Sequence, residues 1–587
     1  MPAKQPRSVI TLFLMLVTGF LAGTATAQSD SDALTAQVDS LFAAWDRPAS
    51  PGAAVAIIKD GAVVYTQGYG SAQLEYEIPI TPSTVFHVAS VSKQFTAFAV
   101  ALLAHQGKLS LDDDIRTHLP EVPDFGRRIT IRHLIHHTSG LRDQWELLAM
   151  AGWRIDDVIT TDHILAMVRH QQDLNFDPGE QYLYSNTGYT LLAEIVEEVS
   201  GQSFREWTAA NIFEPLGMTH THFHDDHQMI VKNRAYSYGT GGPTGFRKSV
   251  LSYANVGATS LFTTVEDLAR WLLNFEEKNL GGAEVIEQMH QRGRLNNGDT
   301  LTYAFALGIG EHRGMKTVGH SGGDAGFRSY VVRFPEARFG VVVLSNLGTM
   351  APWQKALAIA DLYLADRLAP PGAGDEEEIA EHPVDPAILS TYEGTYQLRP
   401  GWLLTISLHG DSLMTQATME GRFTMTPESS GFGWYLASTS SWFGAWGLQQ
   451  VLFPWLVVGV LEASAETTGV VQMSVILATL VLLPVGGIVA DRVELVRPSP
   501  EALRAFVGDY YSEELGTTYT IALKNNRLVA RHRRNDDVAL TPTAADQFAS
   551  FRWWFRAVVF TRDDHGEVTG FRLTGGRVRN LRFDRVS

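Results

Sequence analysis

Runs of apolar and polar positions divide the chain into regions of different period. Residues 53–61 (AAVAIIKDG), 62–70 (AVVYTQGYG), 330–335 (YVVRFP) and 339–346 (FGVVVLSN) are rich in β-branched and aromatic residues and bounded by Gly, Asp or Pro, which predicts strands. Asp60-Gly61 between the first two predicts a hairpin turn. Stretches 189–201 (YTLLAEIVEEVSG) and 263–275 (TTVEDLARWLLNF) carry apolar residues at helical spacing. Strands at both ends of 30–368 with helices between them predict an α/β (α+β) sandwich. Its antiparallel sheet, closed by the two ends of the region, would be flanked by helices and carry an all-helical lobe.

The pattern then changes. Residues 369–384 hold Pro, Gly and an acidic run, the composition of a solvated linker. An internal repeat follows: Pro386, Leu389, Tyr392, Gly394 and Tyr396 recur as Pro500, Leu503, Phe506, Gly508 and Tyr510. LTISL (404–408) recurs as YTIAL (519–523), Leu413 as Leu528, and Thr426-Pro427 as Thr541-Pro542. Both copies read as strands and turns, so small all-β C-terminal modules are expected: a partial one at 385–430 and a complete one at 498–587. Trp553, Trp554 and Phe555 are expected as module core, the alternative being a ligand platform.

Between the copies, 443–461 and 469–490 are almost uncharged, and each is long enough to cross a bilayer. With Gly487, Asp491 and Arg492 spaced as G-x-x-x-D-R, the stretch 443–492 resembles the first two helices of a major facilitator transporter. That is too little for a working transporter. The loop between the runs holds Glu but no Lys or Arg, against the positive-inside rule for an exported enzyme. Three readings stay open: a membrane hairpin that tethers the enzyme, a fusion or assembly scar, or helices buried in a soluble domain. At the other end, Lys4 and Arg7, the apolar run from Val9 and the small pair Ala25 and Ala27 predict a signal peptide over 1–27. The mature chain is then expected in the periplasm or outside the cell, tethered to the inner membrane if 443–492 is a hairpin.

Composition narrows the function classes. A net charge of −17 repels phosphate backbones, so no nucleic-acid partner is expected. The absence of cysteine excludes disulfides, thiolate metal sites and a cysteine nucleophile.

Candidate chemistry lies in three segments. In HVASVSKQFTAF (87–98) the apolar spacing starts a helix near Ser90, and Ser90 and Lys93 share one face of it. Backbone N–H groups at a helix start favour developing negative charge, and a lysine held out of water beside the hydroxyl can act as its base. The pair alone reads equally as a capping Ser and an exposed Lys. In YLYSNTGY (182–189) Tyr184 could relay a proton and Asn186 could anchor Lys93, although Asn186 alone is as easily a helix N-cap. His320-Ser321-Gly322-Gly323 opens onto a strand whose edge could hold an extended substrate, with a backbone N–H there joining that of Ser90 as an oxyanion hole. A Gly-rich turn is the plainer reading of that segment.

In order, S-x-x-K, Y-S-N and H-S-G resemble the motif set of the serine β-lactamase and DD-peptidase superfamily, in the class C β-lactamase-related branch. That branch includes D-Ala-D-Ala carboxypeptidases, D-aminopeptidases and esterases. HLIHHTSGL (133–141), PGEQYLYSNTGY (178–189) and FEPLGM (213–218) support the likeness, which covers residues 35–365. The resemblance implies Ser90 as nucleophile, Lys93 as its base, Tyr184 as proton shuttle and Asn186 as a substrate and lysine anchor. His320, Ser321, Gly322 and Gly323 would bind substrate and complete the oxyanion hole, with no cofactor and no metal. His320 stands where many β-lactamases have Lys. A substrate carboxylate would then depend on protonated His320 and on Ser321, which favours esterase or peptidase chemistry. The expected partners are a small peptide, ester or β-lactam, and peptidoglycan through such peptides. The alternative is a penicillin- or peptidoglycan-binding sensor that acylates without turnover. THTHFHDDHQM (219–229) could hold Zn²⁺ or be a polar loop, and His136-His137 are expected to fix their loop.

Overall fold

A computed structural model describes residues 32–370 and 498–586, with strands at 394–399, 402–409, 412–417, 422–427, 434–436 and 491–492. The expected signal peptide, nearly all of the linker and both long apolar runs lie outside the described residues; of the transporter-like stretch only Asp491 and Arg492 are described, and they form a strand. Among the described residues, no helix is long and apolar enough to cross a membrane. The chain forms two compact units. One comprises Met1–Leu141, Ile155–Arg169 and Phe176–Ala373, and the other Arg142–Arg154, His170–Asn175 and Gly374–Ser587.

The first unit is built on a six-stranded antiparallel sheet: β1 (Ala53–Lys59), β2 (Ala62–Tyr69), β3 (Gly308–His312), β4 (Met315–Asp324), β5 (Phe327–Phe334) and β6 (Phe339–Ser345). The order is β3-β4-β5-β6-β1-β2, so strands from the two ends of the region pair, Ala53 opposite Ser345. β1 and β6 are buried on both faces, which is why they read as unbroken apolar runs rather than alternating ones. Asp60 and Gly61 turn β1 into β2 with φ of 51° and 81°, the left-handed pair that a two-residue hairpin demands.

Helices that accompany the sheet include α1 (32–42), α2 (Ser92–His105), α3 (Asn186–Ser200), α4 (Val265–Glu277), α5 (Gly282–Met289) and α6 (Pro352–Tyr363). Val38 and Phe42 of α1 and Ala356, Ile359 and Ala360 of α6 pack on Val55, Ile57, Val332, Phe334, Val341 and Val343 of one sheet face. The other face carries α4, and α2 packs between α3 and α5.

The second unit holds both modules. The first has β7 (Gly394–Arg399), β8 (Trp402–His409), β9 (Ser412–Ala417), β10 (Arg422–Pro427), β11 (Trp434–Leu436) and β12 (Asp491–Arg492) in one sheet. The module thus runs past the expected end at residue 430 and takes in a strand from beyond the apolar stretch. The other module is a closed eight-stranded barrel: β13 (Gly508–Ser512), β14 (Thr517–Lys524), β15 (Arg527–His532), β16 (Asn535–Ala544), β17 (Gln547–Arg552), β18 (Phe555–Arg562), β19 (Val568–Thr574) and β20 (Leu581–Val586). Tyr510, Tyr519, Phe560, Phe571 and Phe583 fill it, with Trp554 and Phe555 buried among the core residues. Within the same unit, Arg142 is bidentate to Glu514 at 2.6 and 2.5 Å, both side chains buried. The Glu146 carboxylate accepts from the backbone of Gly576 and Arg577 at 3.0 and 2.7 Å.

Candidate active site

Ser90 lies in a 3-10 turn, Ala89–Val91, that leads directly into α2. The turn is held tightly. Ala89 takes a left-handed φ of 48°, a strained conformation for a residue with a Cβ, and its N–H donates to His87 Nδ1 at 3.2 Å. The Ser329 hydroxyl donates to the Val88 carbonyl at 2.8 Å, tying β5 to the turn. Ser90 remains partly exposed while its neighbours are buried.

One turn on, Lys93 is fully buried. Its ammonium donates to Ser90 Oγ at 3.2 Å, Asn186 Oδ1 at 2.8 Å and the Ala258 carbonyl at 2.6 Å. It also lies 5.0 Å from the Tyr184 ring centroid and 5.6 Å from that of Tyr189. Asn186 does not cap α3. Ser185 is the cap, its hydroxyl accepting from Gly188 N at 3.4 Å, which leaves Asn186 in the first turn with its side-chain oxygen facing Lys93. The structure therefore brings together Ser90, Lys93, Tyr184 and Asn186, which come from segments far apart in sequence.

The H-S-G-G segment lies inside β4, whereas it was expected to open onto a strand or, in the plainer reading, to form a Gly-rich turn. β3 pairs with β4 only as far as Gly308 opposite Gly319, so from His320 onward that edge has no strand partner among the described residues. Ser321 and Gly323 are exposed there. At Gly322 a Cβ would lie 2.3 Å from the Val88 carbonyl oxygen and 3.1 Å from Ser90 N, so only glycine lets β4 pass this close to the turn.

His320 corrects one expectation. Its Nδ1 lies 2.6 Å from the Ser321 carbonyl, which can only accept, so Nδ1 carries the proton and Nε2 accepts from the Tyr303 hydroxyl at 3.0 Å. Burial first, then the charge of Lys93, push its pKa down to about 4. The imidazole is thus neutral near pH 7, and the protonated ring expected to grip a carboxylate is absent there.

Sequence reasoning missed Tyr303 and Ala258. Tyr303 precedes β3, and the turns that carry it to His320 leave no local signature; a carbonyl ligand such as that of Ala258 has none at all. His137 was expected only to fix its loop. It accepts from Ser185 N at 3.1 Å, and its ring lies against that of Tyr184, centroids 4.1 Å apart and tilted by 36°, so it positions the Y-S-N segment. In the His-rich stretch, His222 and His224 pack on Phe262, and no group of three metal-ligating residues forms among the described residues.

The family model described as Beta-lactamase matches residues 38–365, more than half the chain. The chain is 28% identical over 391 residues to penicillin-binding protein 4* of Bacillus subtilis, covering 63% of this chain and 84% of that protein. It is 29% identical over 322 residues to the D-aminopeptidase of Gluconobacter oxydans, covering 54% and 60%. The solved structure of an octameric penicillin-binding protein homologue from Pyrococcus abyssi is 27% identical with a TM-score of 0.52, covering 70% of this chain and 94% of that one. With the fold, the family match and these relatives in agreement, the chain belongs to the β-lactamase family.

Proposed function

We propose that the protein is a serine hydrolase that cleaves amide or ester bonds of small acyl substrates through an acyl-enzyme on Ser90. The observation that carries this reading is the buried Lys93, 3.2 Å from Ser90 Oγ and steadied by Asn186 and Ala258. The relatives' names, a D-aminopeptidase and a penicillin-binding protein, support amide substrates of the D-amino-acid kind.

In this reading Ser90 Oγ attacks the acyl carbon while its proton passes to Lys93 in its amine form. The carbonyl oxygen becomes an oxyanion facing Ser90 N–H and the free edge of β4. The C–N or C–O bond then breaks as Tyr184 hands a proton to the leaving group and is resupplied by Lys93. Water attacks the resulting ester, its proton following the same residues, and Ser90 is restored as the acid departs.

Intact mass after treatment with a fluorophosphonate probe tests the nucleophile. A single adduct on wild type that is missing from Ser90→Ala is expected, together with turnover of p-nitrophenyl acetate. No adduct on folded wild type would refute the hydrolase. An adduct with a β-lactam that forms and never releases would favour the penicillin-binding sensor instead.

A further inference from the structure

The strand that leads into the Ser90 turn, Phe86–His87, forms a small sheet with Leu261–Thr263 and His222–Phe223. Phe262 stands opposite both His87 and His222, and His224 extends the ladder through its N–H to the Ser260 carbonyl at 2.8 Å. At period two, His222 and His224 therefore share the face of Phe262. The Phe262 ring has the imidazoles of His87, His222 and His224 at 5.3, 5.7 and 4.7 Å between centroids, and the Arg234 guanidinium 4.7 Å from its own centroid.

Nitrogens gathered at this ring are short of partners. His222 Nε2, His224 Nδ1 and Arg234 Nε are buried and have no hydrogen-bond partner among the described residues. The Arg234 side chain makes one hydrogen bond among them, from Nη2 to the Leu251 carbonyl at 3.4 Å, and no ion pair. Buried polar atoms are nearly always paired, so three orphans around one ring mark a missing partner. The acidic side chains next along the chain are exposed and engaged: Asp225 pairs with Arg205 at 2.9 Å, and Asp226 accepts from Gln228 N at 2.8 Å. A metal ion fits poorly, because no group of three metal-ligating residues forms among the described residues and the charge of Arg234 bears on His224.

We propose that Arg234, His222 and His224 form a binding site, separate from that of Ser90, for a small dianionic oxyanion of the phosphate or sulfate kind. Arg234 supplies charge and an N–H, the imidazoles supply further N–H donors, and the half-burial of His222 and Arg234 leaves a way in from solvent. The site does not depend on Ser90 being a nucleophile. The titratable and charged groups around the two rings are His87 across the sheet, Arg205 from the helix Phe204–Thr208, Asp225 and Asp226 beside them, and Arg234. Burial first, then the two arginines, hold both rings at about 4. A bound dianion favours their charged forms, so they take up protons within the fold. Binding therefore tightens as pH falls, and the loss of stability in acid shrinks.

The test is calorimetric titration of the full chain with sodium sulfate, which stays a dianion throughout, at an ionic strength held with chloride. One saturable site is expected. It should be about tenfold tighter near pH 5.5 than near pH 7.5 for each ring that the ion returns to its ordinary 6.5. Arg234→Gln should weaken it by about tenfold or more, and His224→Phe should remove that ring's share of the pH dependence. The general stabilisation by sulfate does not saturate and is common to all variants. On wild type alone, inorganic phosphate should compete with sulfate for the site, which keeps the test open if a variant fails to fold. No saturable binding at either pH, equal affinity in Arg234→Gln, binding that weakens on acidification, or no competition by phosphate would overturn the proposal. Saturable Zn²⁺ binding that is lost in His224→Phe, with none for sulfate, would make the pair a metal site and overturn it equally.

Discussion

Gly322→Ala is the sharpest single perturbation of the site. The added methyl would meet the Val88 carbonyl oxygen at 2.3 Å, Ser329 Oγ at 2.4 Å and Ser90 N at 3.1 Å. Ser329 can rotate, at the cost of its bond to Val88, but the carbonyl belongs to the turn that presents Ser90 and cannot move alone. An ordinary carbon–oxygen contact requires about 1 Å more room, so β4 and the 89–91 turn must separate by that amount. A misplacement of about 1 Å costs on the order of 100-fold in rate, and an oxyanion-hole donor moved out of range costs roughly 100- to 1000-fold. The expected result is a loss of kcat/KM on p-nitrophenyl acetate of about two to three decades, with roughly 1–3 kcal/mol of stability lost to overpacking. Gly323→Ala is the comparison, since its methyl would meet only the Arg328 side chain, at 3.5 Å, an ordinary contact. Its loss should be smaller by about tenfold or more. A folded Gly322→Ala enzyme within about threefold of wild type would refute the close-approach argument and the oxyanion role assigned to this edge.

Two further outcomes follow from buried charge. In the first unit His136, His222, His224, His290 and His320 all have pKa values lowered by burial to about 4, from 6.5. The unfolded chain therefore binds protons that the fold refuses, and stability falls as pH drops from 6.5 toward 4. His87, lowered well below 6.5, adds to this, while Glu194, raised by burial to about 7, works the other way, so the balance is a net uptake of protons on unfolding near pH 5, read from thermal midpoints across that window. A midpoint that is flat or rises on acidification would contradict these burial assignments. In the second unit, Glu514→Ala strands the buried Arg142 charge and should cost about 3–5 kcal/mol by denaturant unfolding, whereas Arg142→Met with Glu514→Leu should cost far less. Equal losses in the two variants would mean that the pair itself, rather than the stranded charge, carries the effect.

The legible parts of the molecule are those with a local cause. β1 and β6 showed as apolar runs because both faces are covered, and Asp60-Gly61 showed as a turn because few residue pairs accept two left-handed conformations. Ser90, Lys93, Tyr184 and Asn186 were legible as motifs. What could not be read was how the remaining atoms divide the work. Whether Ser185 or Asn186 caps α3 depends on about one hydrogen bond of free energy, and only the position of Lys93 shows that Asn186 is needed elsewhere. His320 looked like a titratable carboxylate anchor because a single letter carries no tautomer. Its neutrality is set by a tyrosine that precedes β3, by its neighbour's carbonyl and by burial.

The repeat gives the apolar stretch between the modules a definite place. Tyr396 and Tyr510 correspond in the two copies. In the barrel, Tyr510 pairs with Arg585 on the last strand; in the first module, Tyr396 pairs with Arg492. β12 thus stands where the closing strand β20 stands in the barrel, and β7 to β11 match β13 to β17 in order. The counterparts of β18 and β19 are missing among the described strands, and residues 437–490 fill that interval of the chain. The strands that flank that interval, β11 and β12, belong to one sheet, so the interval falls within the first module rather than between two finished ones.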